Sequence, residues 1–179
     1  MTPEMTTKID PNTLAKEGKR AFESGNYQAA IQAFTDAAAN YAKRGDATNS
    51  AEMKNNLSVS LLQARQAQKA LDATLGTDDV FAKAGDIQRQ AMAIGNQAAA
   101  LEALKRWDEA LAAYERSADL FAQAGEGDLQ SVVLKSAAAI KLRHGKITDG
   151  MISMLGSLES VKKPTLIQRF LKTLLRLIP

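Results

Sequence analysis

A chain of 179 residues, 45% of them apolar, is enough for one ordinary domain or one short repeat array, and its formal charge is only +3. The absence of cysteine excludes disulfides and thiolate metal sites, and no uninterrupted apolar run approaches the roughly 18 residues that span a bilayer. The charge is unevenly placed: Lys162, Lys163, Arg169, Lys172 and Arg176 give segment 161–179 a charge of +5 with no acid, leaving −2 on the body, which argues against nucleic-acid binding there.

Aromatics are only 5%, and Ala, Leu, Gln, Glu, Lys and Arg dominate. These residues lose little on entering a helix, so the expected fold class is all-α. Residues 1–9 show neither periodicity nor a secretory pattern, and the cytoplasm is the expected location. Asp10-Pro11 is a cap followed by proline at the first helical position, which starts a helix running to about Glu23. Ser24-Gly25-Asn26 then turns the chain. A second helix from Tyr27 to about Lys43 buries Ile31, Phe34, Ala38 and Tyr41 at spacings of three and four and stops at Gly45-Asp46.

The plan recurs. Helices are predicted near 49–64 and 67–84, near 87–104 and 107–124, and near 129–143 and 147–162. Gly76, within Gly76-Thr77-Asp78-Asp79, is expected to kink or break the fourth of the eight, since glycine costs about 1 kcal/mol relative to alanine in a helix interior. Ala30, Ala70, Ala110 and Gly150 share one register forty residues apart; Ile31, Leu71, Leu111 and Met151 share the next; Tyr41, Phe81, Phe121 and Val161 share a third. Unit ends match as well, in AKRGD at 42–46, AKAGD at 82–86 and AQAGE at 122–126. A fixed period of this length marks a stacked-repeat protein, and such proteins usually act through surfaces. The units span 10–46, 47–86, 87–126 and 127–163, and 164–179 stands apart.

Tyr27, Ala30, Phe34 and Ala37, and again Trp107, Ala110, Tyr114 and Ser117, place an aromatic after a short turn, then a small, a bulky and a second small residue. This pattern resembles the tetratricopeptide (TPR) repeat, and its forty-residue length is similar to the long-repeat subclass of LGN-type polarity adaptors and kinesin light chains. In the other two units Ala67 and Ile147 replace the aromatic, and Thr74 and Met154 replace the bulky ring. The resemblance implies a right-handed α-solenoid of four helix-turn-helix repeats whose first helices line a concave groove. It also implies a non-enzymatic adaptor or assembly factor that holds a peptide or helix of a partner protein.

Asn56 and Asn96 sit at equivalent places on the first helices of units two and three, with Lys16 and Ser136 in the other units. In the long-repeat subclass an asparagine there resembles a clamp on a peptide backbone, and a carboxamide does offer both donor and acceptor. The plain alternative is a solvated Asn on a helix surface. Lys19, Asn55, Gln63, Gln97, Glu102, Lys135 and Arg143 complete the expected groove. Ala15, Val59, Ala99 and Ala139 stand where a carboxylate clamp would need polar groups, which disfavours a free C-terminal carboxylate as ligand.

Pro164-Thr165 interrupts the repeat. On a helical wheel Leu166, Ile167, Phe170, Leu171, Leu174, Leu175, Leu177 and Ile178 fill one half, and Gln168, Arg169, Lys172, Thr173 and Arg176 the other. Three seats are open to this basic amphipathic helix: a cap on unit four, a contact between copies of the chain, or an anionic membrane surface. The last makes a peripheral membrane scaffold the alternative function, and the second a self-assembling one. No catalytic set is expected. His144, the lone histidine, ends a helix; Asp78-Asp79 fits a helix start better than a metal site; Gly125-Glu126-Gly127 lacks the lysine of a phosphate loop. No cofactor or metal is expected.

Overall fold

The computed structural model describes residues 10–143, 147–161 (147–149 as backbone only), 164–165, 168–169 and 172–173. Among these residues the protein is all-helical and has no strand. Nine helices are found there in order: α1 Pro11–Glu23, α2 Tyr27–Lys43, α3 Ala47–Gln63, α4 Ala67–Thr74, α5 Thr77–Lys83, α6 Ile87–Ala103, α7 Trp107–Gln123, α8 Gly127–Arg143 and α9 Ile147–Ser160. Helices α4 and α5 are the two halves of the helix expected over 67–84, broken at Leu75-Gly76. Helix α3 begins two residues earlier than the sequence suggests, because Asp46 caps it: its carboxylate accepts the Asn49 N–H at 3.0 Å. Asp86 caps α6 in the same way, accepting from the Arg89 N–H at 2.8 Å, and Asn26 caps α2 through the Ala29 N–H at 3.2 Å.

The connections are more regular than the forty-residue pattern alone demands. Gly25, Gly45, Gly85 and Gly125 adopt the left-handed conformation, with φ between 70° and 77°. Arg65 and Lys105 take it too, at 59° and 62°, so the same turn returns every twenty residues from 25 to 125. Each closes with the same two bonds. After α2, the Gly45 N–H donates to the Ala42 carbonyl and the Asp46 N–H to the Tyr41 carbonyl, both at 3.0 Å. This is the glycine-terminated helix end that satisfies the last free carbonyls.

Short turns of one shape force consecutive helices to pack together. α1 packs on α2, α2 on α3, α3 on α4, α6 on α7, α7 on α8 and α8 on α9, while α3 and α6 also embrace the broken pair α4–α5. Small residues set how close these helices come. Ala30, Ala70 and Ala110 are fully buried, and the Ser58 hydroxyl donates to the Ala70 carbonyl at 2.9 Å. A Cβ on Gly18 would lie 2.7 Å from the Phe34 ring, and one on Gly150 2.7 Å from the Leu142 side chain. Large residues fill the adjoining spaces: Phe34, Tyr41, Phe81, Tyr114 and Phe121 are all buried. One core runs from Leu61 to Ile140, a second surrounds Leu14, Phe34, Tyr41 and Met53, and Leu57 touches both.

Candidate functional site

Helices α1 and α3 are separated by α2, whose Phe34 rises between them. The result is a groove of about 450 Å³ floored by Ala15, Phe22, Phe34, Met53 and Val59 and edged by Lys16, Lys19, Glu52 and Asn56. Three residues expected in a binding groove on sequence grounds, Lys16, Lys19 and Asn56, thus share one cleft. Ala15 and Val59 lie in its apolar floor, which leaves this cleft without the extra polar groups that a carboxylate clamp needs.

Its charge is biased. Lys16 is exposed. Lys19 reaches Glu23 only loosely, at 3.9 Å with both side chains mostly in water, a contact worth little. Glu52 is engaged elsewhere: its carboxylate accepts from Arg89 Nη1 at 3.2 Å. Arg89 is fixed in turn by Asp86 at 2.7 Å and stacks on Phe81, 5.2 Å from the ring centre. Its Asp86 partner is held below the usual carboxylate range, first by the Arg89 backbone N–H and then by the Arg89 side chain. The cleft therefore presents net positive charge over an apolar floor, with the Asn56 carboxamide at its edge.

The other expected groove residues fall into different settings. Asn55 is a correction. It is buried, and its Oδ1 accepts from the Thr77 hydroxyl at 3.1 Å, so it ties α3 to α5 and faces no ligand. Thr77 takes the inward register that Ala37 and Ser117 fill in α2 and α7, and its hydroxyl gives the buried Asn55 a partner there. Glu102 is half-buried and accepts the Tyr114 hydroxyl at 2.8 Å. Burial first, and then the hydrogen bond to Glu102, push the Tyr114 phenol far above its ordinary pKa, so this pair acts as a structural strut. Arg143 stacks over Trp107 at 5.5 Å. Asn96 and Gln97 are half-buried on α6, whereas Gln63 and Lys135 are exposed on α3 and α8. None of these lines the α1–α3 cleft.

Sequence reasoning missed the cleft's aromatic floor and Glu52. The signal was present: Phe22 and Phe34 straddle the first turn, and Met53 takes a register filled by Ala93 and Val133 in later units. Position 52 belongs to the same face, where Met92 and Val132 recur at forty-residue steps, 44% and 58% exposed. That face thus changes from charged at the N-terminal end to apolar further on.

The expected apolar half of the tail (Leu166, Ile167, Phe170, Leu171, Leu174, Leu175 and Ile178) and His144 lie outside the described residues. Among the described residues no helix is long and apolar enough to cross a membrane, and no three metal-ligating side chains converge. No protein-family model matches the chain, and comparison with curated proteins finds no similar sequence.

Proposed function

We propose that the protein is a non-enzymatic adaptor or assembly factor of TPR type. In this reading the helical pairs continue as a right-handed solenoid, and a partner's peptide or helix lies against the first helices. One observation carries it: Lys16, Lys19 and Asn56, three of the ten groove residues expected from the repeat register and the TPR resemblance, meet at a single cleft with an aromatic floor. An apolar cleft with a few convergent polar groups is the ordinary form of a recognition site. Its open shape between two helices suits an extended or helical segment. The lining of the cleft, drawn from α1, α2 and α3, favours a contact centred on the N-terminal part of the face.

The test is site-specific photocrosslinking in cells. A photoreactive residue at Asn56 should capture a defined partner, and one at Asp72, exposed on α4, should not. Lys16→Glu should weaken that capture while leaving the melting temperature within a degree or two, since exposed surface changes usually move stability by less than about 0.5 kcal/mol. Equal capture from both positions, or capture indifferent to Lys16→Glu, contradicts the proposal.

A further inference from the structure

The face that carries the cleft does not keep one character along the series. Three registers of the first helices, followed at forty-residue steps, lose charge in the same direction. Lys16 gives way to Asn56, Asn96 and Ser136. Lys19 gives way to Val59, Ala99 and Ala139. Glu52, already engaged by Arg89, gives way to Met92 and Val132. At 100° per residue the three registers fall within about 60° of one another, so on each helix they form one stripe. On α1 that stripe carries two exposed lysines; on α6 and α8 the same registers hold no charge.

The uncharged part of the stripe is also open. Met92 and Val132 are 44% and 58% exposed. A single exposed apolar residue is ordinary on a protein surface. Two at one register of successive first helices, each with an alanine two turns on along its own helix, make an apolar stretch. Helix α3 packs directly on α6, which carries the stripe from the cleft onto that stretch. Two cations lie near its far side. Lys135 is about 60° round α8 from Val132, and Arg143, at the end of α8, is stacked over Trp107.

We infer that the partner is a segment acidic at one end and apolar at the other, laid with its acids on Lys16 and Lys19 and its apolar side chains on Met92 and Val132. Charge complementarity sets the direction. Acids over the lysines gain attraction, whereas an acid pressed onto Met92 would lose water without a charge partner on α6's stripe. Apolar groups gain most where the stripe is apolar and open to water. The carboxamides of Asn56 and Asn96 lie between the two regions and suit a backbone passing over them. Such a partner presupposes the adaptor reading, to which it adds a chemistry and an orientation.

The test uses the full chain and a synthetic peptide in which a glutamate run is joined to a leucine–alanine run, with a benzophenone side chain at one end or the other. Adducts from the acidic end should map to α1 and α3, and those from the apolar end to α6 and α8. Reversed adducts, the same adducts from both ends, or no saturable binding overturn the inference. Lys16→Glu/Lys19→Glu should raise the peptide's Kd about tenfold at low salt and remove most of its salt dependence. Met92→Ser/Val132→Ser should raise it about tenfold with the salt dependence unchanged. Salt dependence altered equally by both pairs contradicts the assignment. Self-association that Met92→Ser/Val132→Ser abolishes would put a second copy on the apolar stretch and overturn it too. Capture in cells from position 56 separates the two levels. A captured segment without this acidic-to-apolar order removes the orientation and leaves the adaptor; no captured partner, with the peptide oriented as expected, removes the adaptor and leaves the surface preference.

Discussion

Left-handed residues at 25, 45, 65, 85, 105 and 125 close the helices, and only four of them are glycine. A non-glycine residue in this conformation costs roughly 1–2 kcal/mol, offset in part by the greater freedom glycine has in the unfolded chain. Lys105→Gly and Arg65→Gly should therefore each stabilise the protein by about 0.5–1 kcal/mol. Gly125→Ala should destabilise it by about 1 kcal/mol, although nothing lies within 4 Å of the added Cβ. Urea midpoints of the three variants check both signs, and a loss of stability in Lys105→Gly would contradict the strain assigned to it. Gly18 works by proximity instead. Gly18→Ala gains about 1 kcal/mol of helix propensity but drives a methyl into the Phe34 ring, at a typical overpacking cost of about 1–3 kcal/mol. Phe34 also forms the cleft floor, so the ring displaced by Gly18→Ala should weaken partner capture from position 56 as well as stability.

Acid sensitivity also belongs to single residues. The Asp46 and Asp86 carboxylates are both held below their ordinary range, first of all by the backbone N–H groups they cap. A carboxylate whose folded pKa is depressed contributes stability above its unfolded value, near 4, and that stability is lost as pH falls through the folded value. The melting temperature should thus hold from neutrality down to about pH 4 and decline below it. Asp86→Ala should cost about 1 kcal/mol at neutral pH and flatten that decline. A decline as steep as that of the natural chain would show that the cap is not its source.

At the scale of elements, the broken fourth helix separates what the sequence could say from what it could not. Leu75-Gly76 and Leu155-Gly156 occupy equivalent places, yet α9 runs unbroken through Gly156 while the chain at Leu75 (φ −58°, ψ 124°) and Gly76 (φ 72°, ψ 2°) makes a tight turn. The residues just beyond each pair decide the outcome. After Gly76 come Thr77, Asp78 and Asp79, whose two acids suit the start of a new helix; Asp78 also pairs with Arg116 at 3.4 Å. The single proton of the Thr77 hydroxyl is shared between the Thr74 carbonyl at 2.8 Å and Asn55 Oδ1 at 3.1 Å, which gives one carbonyl freed at the break a partner. After Gly156, Ser157 instead donates to the Ser131 carbonyl across to α8 at 3.1 Å and the helix continues. Thr77→Val, nearly equal in shape, should cost about 1–3 kcal/mol because it strands the buried Asn55 oxygen. A urea midpoint unchanged by Thr77→Val would mean that the contact is incidental.

Helix positions were legible because Gly, Asp and Asn mark their ends and the apolar stripes recur. The turns at Arg65 and Lys105 are harder to read, because neither residue announces a left-handed backbone; there the tertiary packing of α3 on α4 and α6 on α7 imposes it. The cleft was half legible. Register identified Lys16, Lys19 and Asn56, but Asn55 is their neighbour in sequence and turns the opposite way, into the bond with Thr77. A helical surface read without its partners cannot tell those two asparagines apart.

At the scale of the whole molecule, repetition of one turn, with five of the nine described helices 17 residues long, produces a series whose substantial contacts all join near neighbours. Stability in such a series is close to a sum of local terms, so damage at one end should spare the other. The N-terminal cleft offers positive charge over aromatic rings. The proposed partner recognition turns on that cleft. Once crosslinking has supplied a partner segment, its titration into isotope-labelled protein, monitored by NMR, is the direct measurement. Shifts concentrated at Ala15, Lys16, Lys19, Met53, Asn56 and Val59 are expected, with α9 silent; shifts centred on α9 or on the outer faces of α2 and α4, with these six unmoved, would contradict it.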